Sequence, residues 1–185
     1  MRVIRLRKGS VNVVAIKISN QCVKMELPNT KTVDILADVF AEINKWLQID
    51  SSSPESGGYI LGYKHVKTGN ISLEFITTPL LLDFKTRNNF KIKDPKHQLQ
   101  IFNAKTKKSF YMGVWHTHPQ KIPTPSSIDW NDWYETLESD QSACEYILFL
   151  IAGTDGIRVW AGDPLTKQIN EIYECEKEGD LYKKI

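Results

Sequence analysis

The sequence GVWHTHP at positions 113–119 places His116 and His118 where an apolar stretch gives way to a proline-rich loop. Residues two apart on an extended chain point to the same side, so both imidazoles can reach one cation. Ser126 and Asp129 follow at the predicted start of a helix, where Asp129 can add a carboxylate oxygen. Two histidines and one carboxylate are typical of a catalytic zinc site, which leaves its fourth position to water. The pattern predicts one Zn²⁺ per chain.

A second carboxylate comes from Glu55, in the segment Pro54-Glu55-Ser56-Gly57-Gly58 just before a short apolar stretch. Hydrolysis at a zinc site needs a carboxylate that accepts a proton from water and returns it to the leaving group. Glu55 is the candidate for that group. Two other interpretations stay open. A glutamate in such a loop is usually a solvated turn residue, and Ser126-x-x-Asp129 is also the pattern of a capping box at a helix start.

Composition limits the class of protein. The chain has 185 residues, with Lys plus Arg 24 and Asp plus Glu 22, which suits one domain over residues 1–185. The near-balance of charge argues against a dedicated nucleic-acid binder, although Lys85 to Lys108 is locally basic. No apolar run approaches the roughly 20 residues that span a bilayer, and the N-terminus has no signal-peptide core. Three separated cysteines argue against a disulfide framework. We therefore expect a cytoplasmic protein with neither nucleic-acid nor membrane partners.

The apolar periodicity predicts a mixed α/β domain. Strands of uncertain placement are expected within residues 1–20, and residues 176–185 are expected to be a frayed tail. A helix capped by Thr32 is expected to contain Asp34 in its first turn and to run on through Leu47. Residues 80–93 show no clean period, and His65 and His97 are interpreted as surface residues. The remaining predictions are strands over 22–27, 58–63, 71–75, 110–115, 146–152, 157–161 and 168–175, and helices from Asp94-Pro95 to Thr106 and over 126–139.

The residues of the predicted site also resemble a known family. A glutamate upstream, then H-x-H-P, then seven residues to a serine and an aspartate three positions beyond it is the JAMM motif of the MPN (Mov34/PAD) metallopeptidases. The chain matches each part of this motif with Glu55, His116-Thr117-His118-Pro119, Ser126 and Asp129, and the resemblance extends over Cys22 to Cys175. Such specific spacing makes a chance match improbable.

The resemblance implies a fold and a set of roles. The fold would be a cytidine-deaminase-like MPN domain, a curved and mainly antiparallel sheet with flanking helices. His116, His118 and Asp129 would bind zinc. Glu55 would act as general base and then general acid, and Ser126 would donate a hydrogen bond to the oxyanion of the tetrahedral intermediate.

The resemblance also implies an activity, the hydrolysis of isopeptide or peptide bonds after the C-terminus of a ubiquitin-like modifier or a conjugated protein. The sequence is similar to bacterial deconjugases that accompany E1- and E2-like enzymes, and among them to the JAMM proteins of CBASS anti-phage operons, which release a nucleotide cyclase from its conjugates. Two alternatives remain: a peptidase that processes a sulfur-carrier or other precursor, and a non-catalytic MPN scaffold.

Overall fold

A computed structural model describes residues 22–139, 145–178 and 181–183. The strands predicted within residues 1–20 lie outside the described residues. The helices are α1 (Ala37–Asn44), α2 (Lys96–Thr106) and α3 (Ser127–Ser139). The strands are β1 (Val23–Glu26), β2 (Thr32–Ile35), β3 (Gly57–Lys64), β4 (Ile71–Ile76), β5 (Phe84–Thr86), β6 (Asn89–Lys91), β7 (Phe110–Thr117), β8 (Ile147–Ala152), β9 (Ile157–Gly162), β10 (Ile169–Glu174), β11 (Glu176–Glu178) and β12 (Leu181–Lys183). Among the described residues, no helix is long and apolar enough to cross a membrane.

Eight of the strands close into a barrel in the order β1-β10-β9-β8-β7-β3-β4-β2. Neighbouring strands are antiparallel except for the pairs β7–β8 and β2–β4, which are parallel. The predicted mixed content, mostly strand with few helices, is confirmed. The sequence did not predict closure of the sheet, which depends on the pairing of β1 with both β2 and β10.

Strand β8 explains how the core is divided. All six of its residues are buried, as the apolar run predicted. Because side chains alternate along a strand, Leu148 and Leu150 enter the barrel interior while Phe149 lies on the outer face. There it stacks on Trp133 of α3 with ring centroids 4.8 Å apart. The helix that carries Asp129 is thus packed on the strand next to the one that carries the histidines, and Trp133 is buried in this contact.

Gly113 of β7 has no room for a side chain against β8. Gly113 has a φ of +153°, and a Cβ added there would lie 1.8 Å from the carbonyl oxygen of Leu148. Only glycine fits such an approach. Two residues later Trp115 is buried and donates its Nε1–H to the carbonyl of Thr77 at 2.9 Å. These contacts fix the end of β7, where the two histidines lie.

The prediction of a helix starting at Thr32 was wrong. Thr32, Val33, Asp34 and Ile35 form strand β2, between β1 and β4, and the helix begins only at Ala37. Val33 and Ile35 are fully buried on one side of the strand. Ile35 also fits the helical spacing of Leu36, Val39 and Phe40 that follow it, so local periodicity could not separate the two structures. Pairing with strands distant in sequence decides in favour of β structure.

Four other expectations need correction, the last of them on His97. Residues 80–93 contain the antiparallel pair β5–β6, a short hairpin whose register depends on the turn around Arg87. Within the predicted frayed tail, residues 176–178 and 181–183 form the antiparallel pair β11–β12, in which the strands satisfy each other's backbone groups. His65 is half-buried, with its Nε2 3.0 Å from Ser72 Oγ.

His97, predicted to lie at the surface, is fully buried. Its Nε2 lies 2.8 Å from Asp83 Oδ2, and its Nδ1 lies 2.8 Å from Thr77 Oγ1. A carboxylate only accepts, so Nε2 carries a proton and donates it to Asp83, and in the neutral ring Nδ1 then accepts from the threonine hydroxyl. Both partners are distant in sequence, which is why nothing around His97 itself indicated them.

Candidate metal centre

The two histidines come from the end of β7 and the residue after it. The amide of His118 donates to the carbonyl of Ala152 at 2.9 Å, which extends the β7–β8 pairing past the strand end. His116 and His118 therefore point to the same side, as the sequence predicted. Thr117, between them, points to the opposite side and is completely buried.

Asp129 is positioned by the first turn of α3. Its Oδ2 accepts a hydrogen bond from the amide of Ser126 at 2.5 Å, while Ser126 Oγ accepts one from the amide of Asp129 at 3.2 Å. This reciprocal pair is the capping box that the sequence allowed. The same carboxylate presents Oδ1 to His116. Asp129 therefore both caps α3 and belongs to the candidate site.

The donor atoms of these residues converge. The Nε2 atom of His116 lies 3.1 Å from Nε2 of His118 and 3.0 Å from Oδ1 of Asp129. The Nε2 atom of His118 lies 3.4 Å from the other carboxylate oxygen, Oδ2 of Asp129. Three ligands of a tetrahedral zinc ion at ordinary Zn–N and Zn–O lengths lie about 3.3 Å from one another. The side chains present therefore fit Zn²⁺, both in the chemistry of their donor atoms and in spacing.

Glu55 faces the same point from the other side. Its Oε1 lies 3.7 Å from His116 Nε2 and 3.8 Å from His118 Nε2, further than Asp129. Glu55 and the two histidines also form a group, with ligand atoms within 4.8 Å of one another, that could hold a metal ion. The shorter distances favour Asp129 as the third ligand and leave Glu55 beside the cation position.

Strand pairing brings Glu55 to the histidines. Gly57 of β3 is paired with His116 of β7, so the residues preceding β3 pass over the end of the histidine strand. The amide of Glu55 donates to the carbonyl of Thr86 at 2.7 Å, which ties it to the β5–β6 hairpin. Glu55 is only 4% exposed. This burial raises the pKa of Glu55 to about 6, although the two histidines act in the opposite direction.

The charges of the other groups follow from their contacts. Burial by itself raises the pKa of Asp129, but hydrogen bonds from His116 and His118 outweigh it and hold that pKa well below its usual range. Burial lowers the pKa of His118, and its hydrogen bond to Asp129 more than offsets this and raises it. Asp129 is thus an anion at neutral pH, as a metal ligand must be.

A cleft of about 410 Å³ opens beside this group. Glu55, His116, Ser126 and Asp129 line its floor, and Ser126 is exposed there. One wall is the hairpin with residues 88–92, and the other is the outward face of α3. Residues of the candidate site therefore border the cleft between the hairpin and α3.

All five site residues named from the sequence meet in one place, and two features around them were missed. Gln48, 2% exposed, joins the Glu55 loop to β7, and Asp83 with His97 fixes the base of the hairpin. The sequence offered one weak signal, a glutamine directly after the last apolar residue of the periodic run that ends at Leu47.

A mixed barrel with H-x-H-P at the end of one strand, and the helix-capping aspartate beside it, defines a domain of the JAB or MPN class. Residues 36–162 match the family described as prokaryotic homologs of the JAB domain, Prok-JAB, and the chain belongs to this family. The family resemblance seen in the motif is thereby confirmed.

Curated relatives carry one name. The chain is 29% identical over 143 residues to the "CD-NTase/cGAS isopeptidase" of Escherichia coli (strain TW11681), covering 76% of this chain and 86% of that protein. It is 28% identical over 124 residues to the protein of the same name from Vibrio cholerae, covering 65% and 76%. A solved structure, protein DSY2949 from Desulfitobacterium hafniense, has a TM-score of 0.53 at 17% identity, covering 74% of this chain and 87% of that one. The latter likeness supports the fold alone.

Proposed function

We propose that this protein is a zinc-dependent isopeptidase that cleaves the bond between the C-terminal tail of a conjugated protein and its target. Family membership and the isopeptidase names of the curated relatives support a hydrolase acting on conjugated proteins. One observation carries the mechanism. The Nε2 atoms of His116 and His118 lie 3.1 Å apart, and the two carboxylate oxygens of Asp129 lie 3.0 Å from the first and 3.4 Å from the second, with the buried carboxylate of Glu55 beside them and an open cleft in front.

Each residue has a distinct task in this proposal. Zn²⁺ held by His116, His118 and Asp129 would supply Lewis-acid polarisation of the scissile carbonyl and of water. With its pKa raised to about 6, Glu55 is ionised at neutral pH, yet basic enough to accept a proton from water and return it to the departing amine. Ser126 Oγ accepts from the amide of Asp129 and keeps its own O–H to donate to the developing oxyanion.

The cleft suits an extended tail. A chain running between the hairpin and α3 would pass the polar backbone of β6, where an added strand can pair. By analogy with the names of the relatives, we propose that the tail belongs to a conjugated CD-NTase. The motif resemblance supports a ubiquitin-like modifier as the other candidate, and attachment by E1- and E2-like enzymes in an anti-phage pathway. We place this activity in the cytoplasm.

Replacing Glu55 by alanine tests the proposal. We expect turnover of a purified isopeptide-linked conjugate to fall by about 10²–10⁴, the usual contribution of a general acid–base group. Zinc measured in the purified protein should stay at one ion per chain, because Glu55 lies beside the ligands. A linear fusion assayed in parallel separates isopeptide from peptide preference.

Glu138→Ala is the matched control, since Glu138 is an exposed glutamate of α3 outside the cleft. It should leave turnover unchanged. Turnover of Glu55→Ala within about threefold of wild type contradicts the role of Glu55, and wild-type protein that binds no zinc contradicts the function as a whole.

A further inference from the structure

Gln48 lies under the candidate metal centre and joins three segments. It follows α1 and is buried. Its Nε2 donates to the carbonyl of Ser53 at 3.1 Å and to the carbonyl of Arg87 at 2.8 Å. Its Oε1 accepts from the hydroxyl of Thr117 at 3.2 Å. The loop before Glu55, the hairpin turn and the histidine strand thus meet at one side chain.

The direction of these hydrogen bonds is fully determined. Carbonyl oxygens only accept, so the amide nitrogen of Gln48 must face Ser53 and Arg87 and its oxygen must face Thr117. Thr117 then donates to Gln48 and accepts from the amide of Ser56 at 3.0 Å, while its own amide donates to the carbonyl of Ser56 at 2.8 Å. The buried polar atoms of Gln48 and Thr117 are therefore all paired.

The contacts of this network converge on Glu55. Ser53 and Ser56, which flank it in the chain, are held by Gln48 and Thr117 respectively. The amide of Glu55 itself donates to Thr86, the residue before Arg87 in the hairpin turn. The distances between the carboxylate and the two imidazoles are therefore set by contacts below the site, and the hairpin wall of the cleft is tied to the same contacts.

We propose that Gln48 is a positioning residue, which locks the Glu55 loop and the β5–β6 hairpin to the strand of the metal-binding histidines. This inference rests on the proposed function, in which Glu55 moves the proton. One side chain holds both segments. The hairpin, which would contact the substrate tail, therefore keeps a fixed position relative to the carboxylate of Glu55.

Gln48→Met tests the proposal, since methionine has a similar length and no strong hydrogen-bonding group. We expect zinc content to remain at one ion per chain and kcat on the conjugate to fall by about tenfold or more, because small displacements of a reacting group are costly. In the Glu55→Ala background the same substitution should change kcat by less than about twofold, since Gln48 acts through Glu55. Full additivity of the two losses overturns the proposal.

Three further variants separate positioning from general damage. Gln98→Met makes the same change at an exposed site of α2 and should leave kcat unchanged. Thr117→Val removes the hydroxyl that donates to Gln48 and should reproduce the fall in kcat seen for Gln48→Met. Thr117→Ser keeps this hydroxyl and should retain at least half of wild-type kcat. Equal activity of the valine and serine variants overturns the network.

Hydrogen exchange gives a readout independent of turnover. In Gln48→Met, amides of residues 53–56 and 84–91 should exchange at least about tenfold faster than in wild type, while those of β8 stay protected. Unchanged exchange in both segments overturns the proposal, as does faster exchange throughout the barrel. If the wild-type protein cleaves no conjugate and the two segments still loosen, the proposed function fails and the structural lock remains.

Discussion

The barrel interior and the polar layer around the histidines differ in what their buried side chains are made of. The interior is filled by aliphatic residues together with Phe40, Trp115 and Tyr146. The polar layer holds the buried polar side chains of the described residues, apart from Ser72 and Ser109. Its members are Gln48, Glu55, Ser56, Thr77, Asp83, Asp94, His97, Thr117 and Asp129.

Different forces stabilise the two regions. Apolar burial stabilises in proportion to area and has no direction, so the interior accepts many side chains of the right volume. In the polar layer, each buried group is costly unless its partner is in place, so contacts are specified atom by atom. The difference shows that the interior holds the strands together, whereas the polar layer fixes where Glu55, Asp129 and the hairpin lie.

The largest expected effect is a loss of stability from a substitution within the barrel, at Gly113. Gly113→Ala would place a methyl group against the carbonyl of Leu148 and would force a strained φ, so we expect a loss of about 4 kcal/mol in the free energy of unfolding. Urea denaturation measures it.

Gly69→Ala is the control for Gly113→Ala, because Gly69 also has a positive φ, of +74°, but faces only the flexible side chain of Lys31. We expect it to cost about 1 kcal/mol. Similar losses for the two variants contradict the close approach of β7 and β8.

Ser126→Ala tests whether a change at the candidate site affects turnover much more than stability. We expect turnover to fall by about 10²–10³, as for loss of an oxyanion donor. The free energy of unfolding should fall by only about 1 kcal/mol, because the Asp129 amide loses its cap. Ser127→Ala, at the adjacent exposed residue, is the control and should change neither the turnover nor the free energy of unfolding. A variant as active as wild type removes Ser126 from the mechanism.

The smallest effect is a pH dependence confined to the polar layer. Burial alone raises the pKa of Asp83, but hydrogen bonds from His97 and from the amides of Asp94, Leu80 and Lys93 lower it to about 2. A depressed carboxylate pKa stabilises the fold above the unfolded-state value of about 4, and this stability is lost as pH falls from about 4 through 2.

We expect Asp83 to account for roughly 2 kcal/mol of the unfolding free energy lost across that window. Denaturation of wild type and Asp83→Asn at pH 4, 3 and 2 measures it by difference. The two proteins should converge at the lowest pH. Parallel curves contradict the buried Asp83–His97 pair.

What the sequence predicted depended on distance along the chain. His116, His118, Ser126 and Asp129 lie within a short stretch whose geometry is set by strand alternation and by a capping box, so their convergence could be read locally. Glu55 joins them only through the pairing of Gly57 with His116, which no local rule specifies. The chemistry of a zinc site and the position of Glu55 before an apolar stretch made it a candidate, and the family resemblance supported that role.

Features that depend on distant partners were missed for the same reason. Gln48 meets Arg87 and Thr117, and His97 meets Thr77 and Asp83, and none of these pairs shows in a local pattern. Strand β2 was mistaken for helix because its partners β1 and β4 decide its conformation. The apolar run of β8, by contrast, was correctly predicted as a strand, because its apolar side chains suit burial on both faces.

The pairing of β1 with β10 has a consequence for how the chain is connected. The carbonyl of Lys24 accepts from the amide of Cys175 at 2.9 Å, so the first and last strands of the barrel are hydrogen-bonded neighbours. A short peptide could join them there while the chain is opened at the exposed turn between β3 and β4. Each of the eight barrel strands would keep its neighbours in such a circular permutant, so the order of these strands along the chain is separable from their order around the barrel.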